Sequence, residues 1–332
     1  MRVPFVALWF AILFVASPCF ADHHEEGFVS IFDGKSLDGW DGNAKFWSVK
    51  DGAITGTTTK ENPTKGNTFV IWRGGDVGDF ELRLQFKIVG GNSGIQYRSE
   101  DKGNWVVGGY QADFEAGSTY SGILYEERGR GILAQRGQVT EVHPGDKPKI
   151  NVIASIGDTK VINEVIKKED WNEYKIVAHG NQFMHIINDR MTCQVIDRDE
   201  TKGSKSGVLA LQLHAGPPMV VQFKDIRIKP RDGIDIAGKW DFEVVTEQGT
   251  GEPKFTFKSD GKKLTGDYSG AFGESKVEGT MKGTKVSWTV NGTYNGREIE
   301  SDYVGKFTSF DSMKGTVIFD GQYEAEWTAK RQ

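Results

Sequence analysis

The chain has 332 residues, 37% of them hydrophobic and 26% charged, with 42 glycines against 9 prolines. That is the composition of a soluble, turn-rich globular protein long enough for two ordinary domains. A formal net charge of −5, with no Lys/Arg run interleaved with aromatics, excludes nucleic acid as the partner. The chain contains no P-loop, GxGxxG, GxSxG or paired CxxC, so nucleotide cofactors and serine hydrolysis have no support.

Residues 1–21 have the form of a secretory signal. Met1-Arg2 is followed by the apolar run VPFVALWFAILFVA and by Cys19-Phe20-Ala21, with small residues where a signal peptidase reads. The run is too short and too terminal for a membrane span. The expectation is cleavage near Ala21, a mature chain without a transmembrane span, and a periplasmic or secreted location. Cys19 as a lipid anchor is the weaker alternative, because Ser17-Pro18 fits that signal poorly. Cleavage leaves Cys193 alone, so no internal disulfide is expected, and Cys193 reads as a small buried hydrophobe.

From residue 28 onward the pattern is one of short strands. FVSIFDGKSLDGW (28–40) is a strand, a turn and an aromatic anchor, and FWSVKDGAITG (46–56) is a hairpin turning at Asp51-Gly52. FELRLQFKI (80–88) alternates Phe80, Leu82, Leu84 and Phe86 with charged and polar residues, which marks an antiparallel sheet with one wet face. Residues 131–170 are less regular. Three strands follow, with a turn at Asn188-Asp189, and then GVLALQLHAG and VVQFKDIRIKP. No helical period is sustained over three turns, so two packed antiparallel sheets are expected.

Residues 92–130 stand apart, because polar residues of catalytic type lie within segments that otherwise read as buried strands. Alternation puts Gln96 with Arg98, Gln111 with Asp113 and Glu115, and Gln212 with His214. SGILYEERGR adds Tyr125, Glu126, Glu127, Arg128 and Arg130. A sheet face holding an Arg, several amides and carboxylates is unfavourable to bury without a purpose. The competing reading is a solvated outer face, with Arg98 pairing structurally with Asp113 or Glu115. Trp47, Trp72 and Trp105 read more readily as core anchors than as sugar platforms.

FDGKSLDGW, NSGI followed by Arg98, Gly109-Tyr110-Gln111, Trp171-Asn172, the Asn188 turn and LQLHAG…VQFKDIRIK occur in family order. Together they resemble the 3-keto-disaccharide hydrolase domain family, over about residues 27–230. The resemblance implies a concanavalin/lectin-like antiparallel β-sandwich of jelly-roll type, with its site on the concave sheet face and a glycoside or oligosaccharide as substrate. The usual family pattern resembles G-Y-E-x-Q, whereas this chain reads GYQADFE. Gln111 stands where Glu is common, and an acid is then either missing or supplied by Asp113.

The activity so implied is cleavage of a 3-keto-glycoside. The C3 ketone acidifies the hydrogen on C2, the glycosidic oxygen leaves by elimination, and water adds afterwards. This chemistry needs a base, a partner for the enolate oxygen and an acid at the leaving oxygen, not the spaced carboxylate pair of ordinary glycosidases. His214, Asp113 or Glu126 suits the base, Arg98 the oxyanion, and Tyr125 or His214 the acid. Gln96, Gln111, Gln212 and Arg130 suit substrate binding. No cofactor is required, although Asp113, Glu115, Glu126 and His214 are ligand types a divalent cation accepts. The rival is a non-catalytic carbohydrate-binding or cell-surface interaction module, since the same fold class hosts lectins.

The character changes after Gly233. Residues 236–332 contain about eight alternating runs at even spacing and no histidine, which points to a small antiparallel β-barrel-like domain without a catalytic constellation.

Overall fold

The computed structural model describes residues 27–332 apart from residues 232 and 261. The expected signal segment lies outside the described residues. The structure is almost entirely strand, with one short helix, Thr159–Asn163, capped by Asp158.

The first two sheets form a β-sandwich. In the larger, ten-stranded sheet, Phe80–Val89 lies between Asn172–His179 and Met219–Pro230. The smaller sheet has seven strands in the order Gly131–Ala134, Leu124–Glu127, Val107–Glu115, Asn92–Asp101, Val208–Leu213, Thr68–Trp72 and Trp40–Gly42. Alternation turns one face of each sheet toward the other. Phe86 meets Phe114 at 4.0 Å between ring centroids, Phe183 meets Tyr110 at 4.4 Å, and Phe80 meets Tyr97 at 5.9 Å. Cys193 is fully buried in this core, and Trp47 and Trp72 are buried as anchors. His185 is enclosed there as well, bonded to the Tyr97 hydroxyl (2.9 Å) and the Ile123 carbonyl (3.1 Å). Burial pushes its imidazole down to about 3, so it is a neutral structural group.

The two expected hairpins are present. Asp51-Gly52 (φ 51° and 73°) and Asn188-Asp189 (φ 47° and 60°) supply the left-handed pair that a tight two-residue turn requires. Residues 131–170 are more regular than alternation suggested, containing strands Gly131–Ala134, Gln138–His143 and Lys149–Ser155. Gln138–His143 also pairs in parallel with Arg190–Asp197, an exception to the expected antiparallel order.

The third sheet begins at Gly238–Thr246 and runs up and down to Tyr323–Arg331, which pairs back onto the first strand and closes eight strands into a barrel. A ninth, Gly249–Gly251, extends the first hairpin. Inward-facing Trp240, Phe242, Phe255, Trp288, Tyr303 and Trp327 fill the interior. At the joint Ile234 and Ile236 are buried, Trp72 meets Phe310 edge-on at 4.7 Å, and Arg331 donates to the carbonyls of Asp235 and Phe310.

We propose that residues 27–230 and 236–332 fold as separate units that meet at this contact. Limited trypsin digestion is expected to cut first after the exposed Arg231 and to leave two resistant fragments, faster in Phe310→Ala. Simultaneous degradation of the whole chain would rule out separate units.

Candidate functional site

The outward face of the seven-stranded sheet carries a continuous row of amides and carboxyls. Ser99 Oγ donates to Gln96 Oε1 (2.6 Å), Gln96 Nε2 donates to Gln111 Oε1 (2.7 Å), and Gln111 Nε2 donates to Asp113 Oδ1 (2.5 Å). Gln212 Nε2 gives a second bond to Gln111 Oε1 (3.1 Å) and reaches Glu127 Oε2 (3.4 Å). Asn67 then joins Glu127 to the backbone of Ala215. Gln96, Gln111 and Gln212 are at most 2% exposed and Asp113 is 7% exposed, so the row is a close-packed polar floor.

The NSGI segment builds this floor. Asn92 hydrogen-bonds the Asp113 carboxyl, and Ser93 Oγ donates to the Gln212 carbonyl at 2.7 Å. Gly94 pairs with Asp113 in register, and a Cβ there would lie 2.5 Å from Gln111 Cγ. The Gln111 amide lies over the space that a side chain at 94 would take. Ile95 faces the core on the opposite side.

Burial pushes the Asp113 carboxyl up to about 7. The bonds from Gln111 and Asn92 pull it down, and the nearby Glu127 and Glu115 push it further up. Tyr125, opposite Gln111 in register, has its phenol raised by partial burial and then by Glu127 and Asp113, so it stays a hydrogen-bond donor at neutral pH. His214, in the parity of Gln212, is half-buried just past the strand end, with Nδ1 against the Ala215 carbonyl at 2.5 Å. A cavity of about 620 Å³ opens beside the row, and Glu127, Gly108, Gly109 and Lys202 are among the residues lining it.

Three predicted positions do not join the row, although two of them, Arg98 and Glu126, line the same neighbouring cavity. Arg98 is not beside Gln96, because a β-bulge interrupts the register between Tyr97 and Glu100, and Arg98 takes a φ of 46°. Its guanidinium is buried, bonded to Asp79 Oδ1 (2.5 Å) and to the carbonyls of Gly78 and Gly180 (both 2.7 Å), over the Phe183 ring. Glu126 pairs with Tyr110 and so faces the other side of the sheet from Tyr125. There Arg130 binds it through Nε (2.6 Å) and Nη2 (3.0 Å) and also binds Asp197 (2.6 and 3.0 Å), which leaves Arg130 3% exposed in an internal ion network. Tyr110 donates to Asp197 at 2.5 Å in the same network.

Glu127, not Glu126, is the acid that reaches the floor, and strand parity from Tyr125 is the signal that identifies it. Asn67 and Asn92 belong to the floor as well. Among the described residues no three His, Cys, Asp or Glu side chains converge as a metal would require, so Asp113, Glu115, Glu126 and His214 do not form the suggested ligand set.

Asp113 holds its proton more tightly in the folded chain than its ordinary value of 3.8. Its contribution to stability is therefore complete below about pH 4 and is lost as pH rises through about 7. Urea unfolding is expected to show a smaller loss of stability between about pH 4 and pH 8 in Asp113→Asn than in the wild type. An equal slope in both would mean that the carboxyl is not raised. Gly94→Ala should destabilise by roughly 1–3 kcal/mol at any pH, through overpacking against Gln111.

The family described as the 3-keto-alpha-glucoside-1,2-lyase-like domain matches residues 27–229. The chain is 35% identical over 88 residues to a 3-keto-disaccharide hydrolase of Bacteroides thetaiotaomicron, covering 23% of this chain and 29% of that protein. Among solved structures, a protein of Parabacteroides distasonis named as a candidate glycosyl hydrolase matches with 20% identity and a TM-score of 0.41, covering 62% of this chain and 94% of that one. A carbohydrate-binding module from Bacillus subtilis matches with 15% identity and a TM-score of 0.38, covering 57% and 94%.

Proposed function

Since the chain belongs to the 3-keto-alpha-glucoside-1,2-lyase-like domain family over residues 27–229, we propose that it is an exported enzyme cleaving the glycosidic bond of 3-keto-glycosides by elimination and hydration. The observation that carries this reading is the Gln96–Gln111–Asp113 row, which ends on a carboxyl pushed up to about 7. Perturbed carboxyls cluster at functional sites, and a base with a value near the working pH is the effective one.

The Asp113 carboxylate takes the proton from C2, and the electron pair moves into the C3 carbonyl as an enolate. Tyr125, held protonated, donates a hydrogen bond to that oxygen. Collapse of the enolate forms the C1=C2 bond and expels the glycosidic oxygen, which leaves with a proton from His214. Water adds across the double bond, giving the free 3-keto sugar. Gln96, Gln111 and Gln212 line the floor beneath the ring. Glu127 connects the floor to the neighbouring cavity, which offers room for the second sugar. Arg98, bound to Asp79, lines that cavity, whereas the Arg130 guanidinium is taken up by Glu126 and Asp197; neither is assigned a step.

The test follows release of reducing sugar from a 3-keto-disaccharide and from its unoxidised parent. Turnover of the keto form alone is expected, with the acid limb of kcat/KM rising through about pH 7 as Asp113 ionises. Asp113→Asn should lower kcat/KM on the order of a hundredfold or more. Equal cleavage of both sugars would mean an ordinary glycosidase. Tight binding of a glycan without turnover of the keto form would mean a binding module.

A further inference from the structure

Three glutamine side chains form a hydrogen-bonded chain that ends on one carboxyl, and its bonds run toward that carboxyl. Gln111 Oε1 accepts from both Gln96 Nε2 (2.7 Å) and Gln212 Nε2 (3.1 Å). Turning the Gln111 amide over would set its NH2 against two donors. The Gln212 donor is fixed by the Glu127 carboxylate, which its Nε2 also faces at 3.4 Å. Gln96 Oε1 lies 2.6 Å from Ser99 Oγ, a hydroxyl that also faces the carbonyls of Tyr97 (3.0 Å) and Tyr110 (3.4 Å). In this arrangement Gln111 presents an N–H to Asp113 Oδ1 (2.5 Å). A carboxylate accepts that bond, whereas a protonated carboxyl finds no acceptor on that side.

We propose that Gln96 and Gln212, backed by Ser99, are positioning residues that lock the Gln111 amide and thereby fix Asp113 as the proton acceptor of this face. The inference rests on the reading of Asp113 as the base of the reaction, and it adds what decides that role. Burial and the two neighbouring acids, Glu115 and Glu127, favour the protonated form, whereas Gln111 and Asn92 favour the charged one. Tyr125 faces the same group and is neutral. The locked amide keeps the balance near neutrality, so that the carboxylate is available at working pH. Hydrogen bonding to the charged form is the available counterweight, because none of the groups named as acting on Asp113 is a cation. If the lock is removed, Gln111 can turn its carbonyl toward a protonated Asp113, and the proton is held more tightly.

The test reads Asp113 directly, through the carboxyl 13C shift of the full chain labelled on aspartate and assigned with Asp113→Asn. The wild type is expected to titrate near 7. In Gln96→Met the midpoint should rise by roughly half a unit or more, since one hydrogen bond to a charged group is worth about that or more. Ser99→Ala should move it the same way by less, and provides the measurement if Gln96→Met does not fold. The pH profile of kcat/KM should shift with the midpoint. A midpoint unchanged or lowered in both variants overturns the lock and leaves the catalytic reading standing. If the midpoint moves as expected but Asp113→Asn keeps full turnover, the lock stands and the assignment of Asp113 as base fails.

Discussion

Arg98 adopts the left-handed backbone region in mid-strand, at a cost on the order of 1 kcal/mol for a residue with a side chain. Close glycines, Gly109 on one neighbouring strand and Gly207 just before the other, make the distortion possible. A Cβ on Gly109 would lie 2.5 Å from Ser99 Oγ, and one on Gly207 would lie 2.4 Å from the Ser99 carbonyl. Bonds from the Arg98 guanidinium to Asp79, Gly78 and Gly180 offset the strain. The same bulge places Ser99 Oγ next to Gln96, where the amide row begins. One irregular residue thus sends a cation into the core and starts the polar floor outside it.

The consequence is a separation of charge by sheet face. On the inner side, Arg130, Glu126, Asp197 and Tyr110 form a buried, largely satisfied ion network. Such a network contributes little net stability compared with an apolar filling, but removing one member is strongly destabilising. On the outer side the groups that hydrogen-bond Asp113 are the amides of Gln111 and Asn92. An arginine beside Asp113 would hold it as a permanent, weakly basic carboxylate. Amides leave it able to exchange a proton near neutrality, as a base must.

Strict alternation was enough to place Gln96, Gln111, Asp113 and Gln212 on one face, because those segments are regular over the residues concerned. It failed at Arg98, since a bulge adds one residue and reverses parity, and the glycines that permit it lie outside that strand, at positions 109 and 207. The choice of Glu126 over Glu127 has a different cause: the run of charges hides a strand of only four residues, Leu124–Glu127, along which alternation from Tyr125 holds. The Arg130–Asp197 pair spans 67 positions, a contact that local patterning does not contain. The barrel strands were readable from their alternation. Their even spacing also pointed to a barrel-like closure, whereas the register by which Gly238–Thr246 meets Tyr323–Arg331 was not readable, because it joins the first strand to the last.

Gln111 and Asp113 lie two residues apart on one strand, so they share the outer face about 6.7 Å from each other. Asp113 lies opposite Gly94 in register, beside Asn92 and within the field of Glu115 and Glu127. Position 111 holds an amide whose carbonyl takes two donors and whose N–H serves that acid. A glutamate at 111 would accept those two donors equally well but could offer Asp113 nothing, and two facing carboxylates would have to share a proton. Gln111 and Asp113 therefore act as a matched pair. The amide at one position is what allows the shorter acid at the other to carry charge.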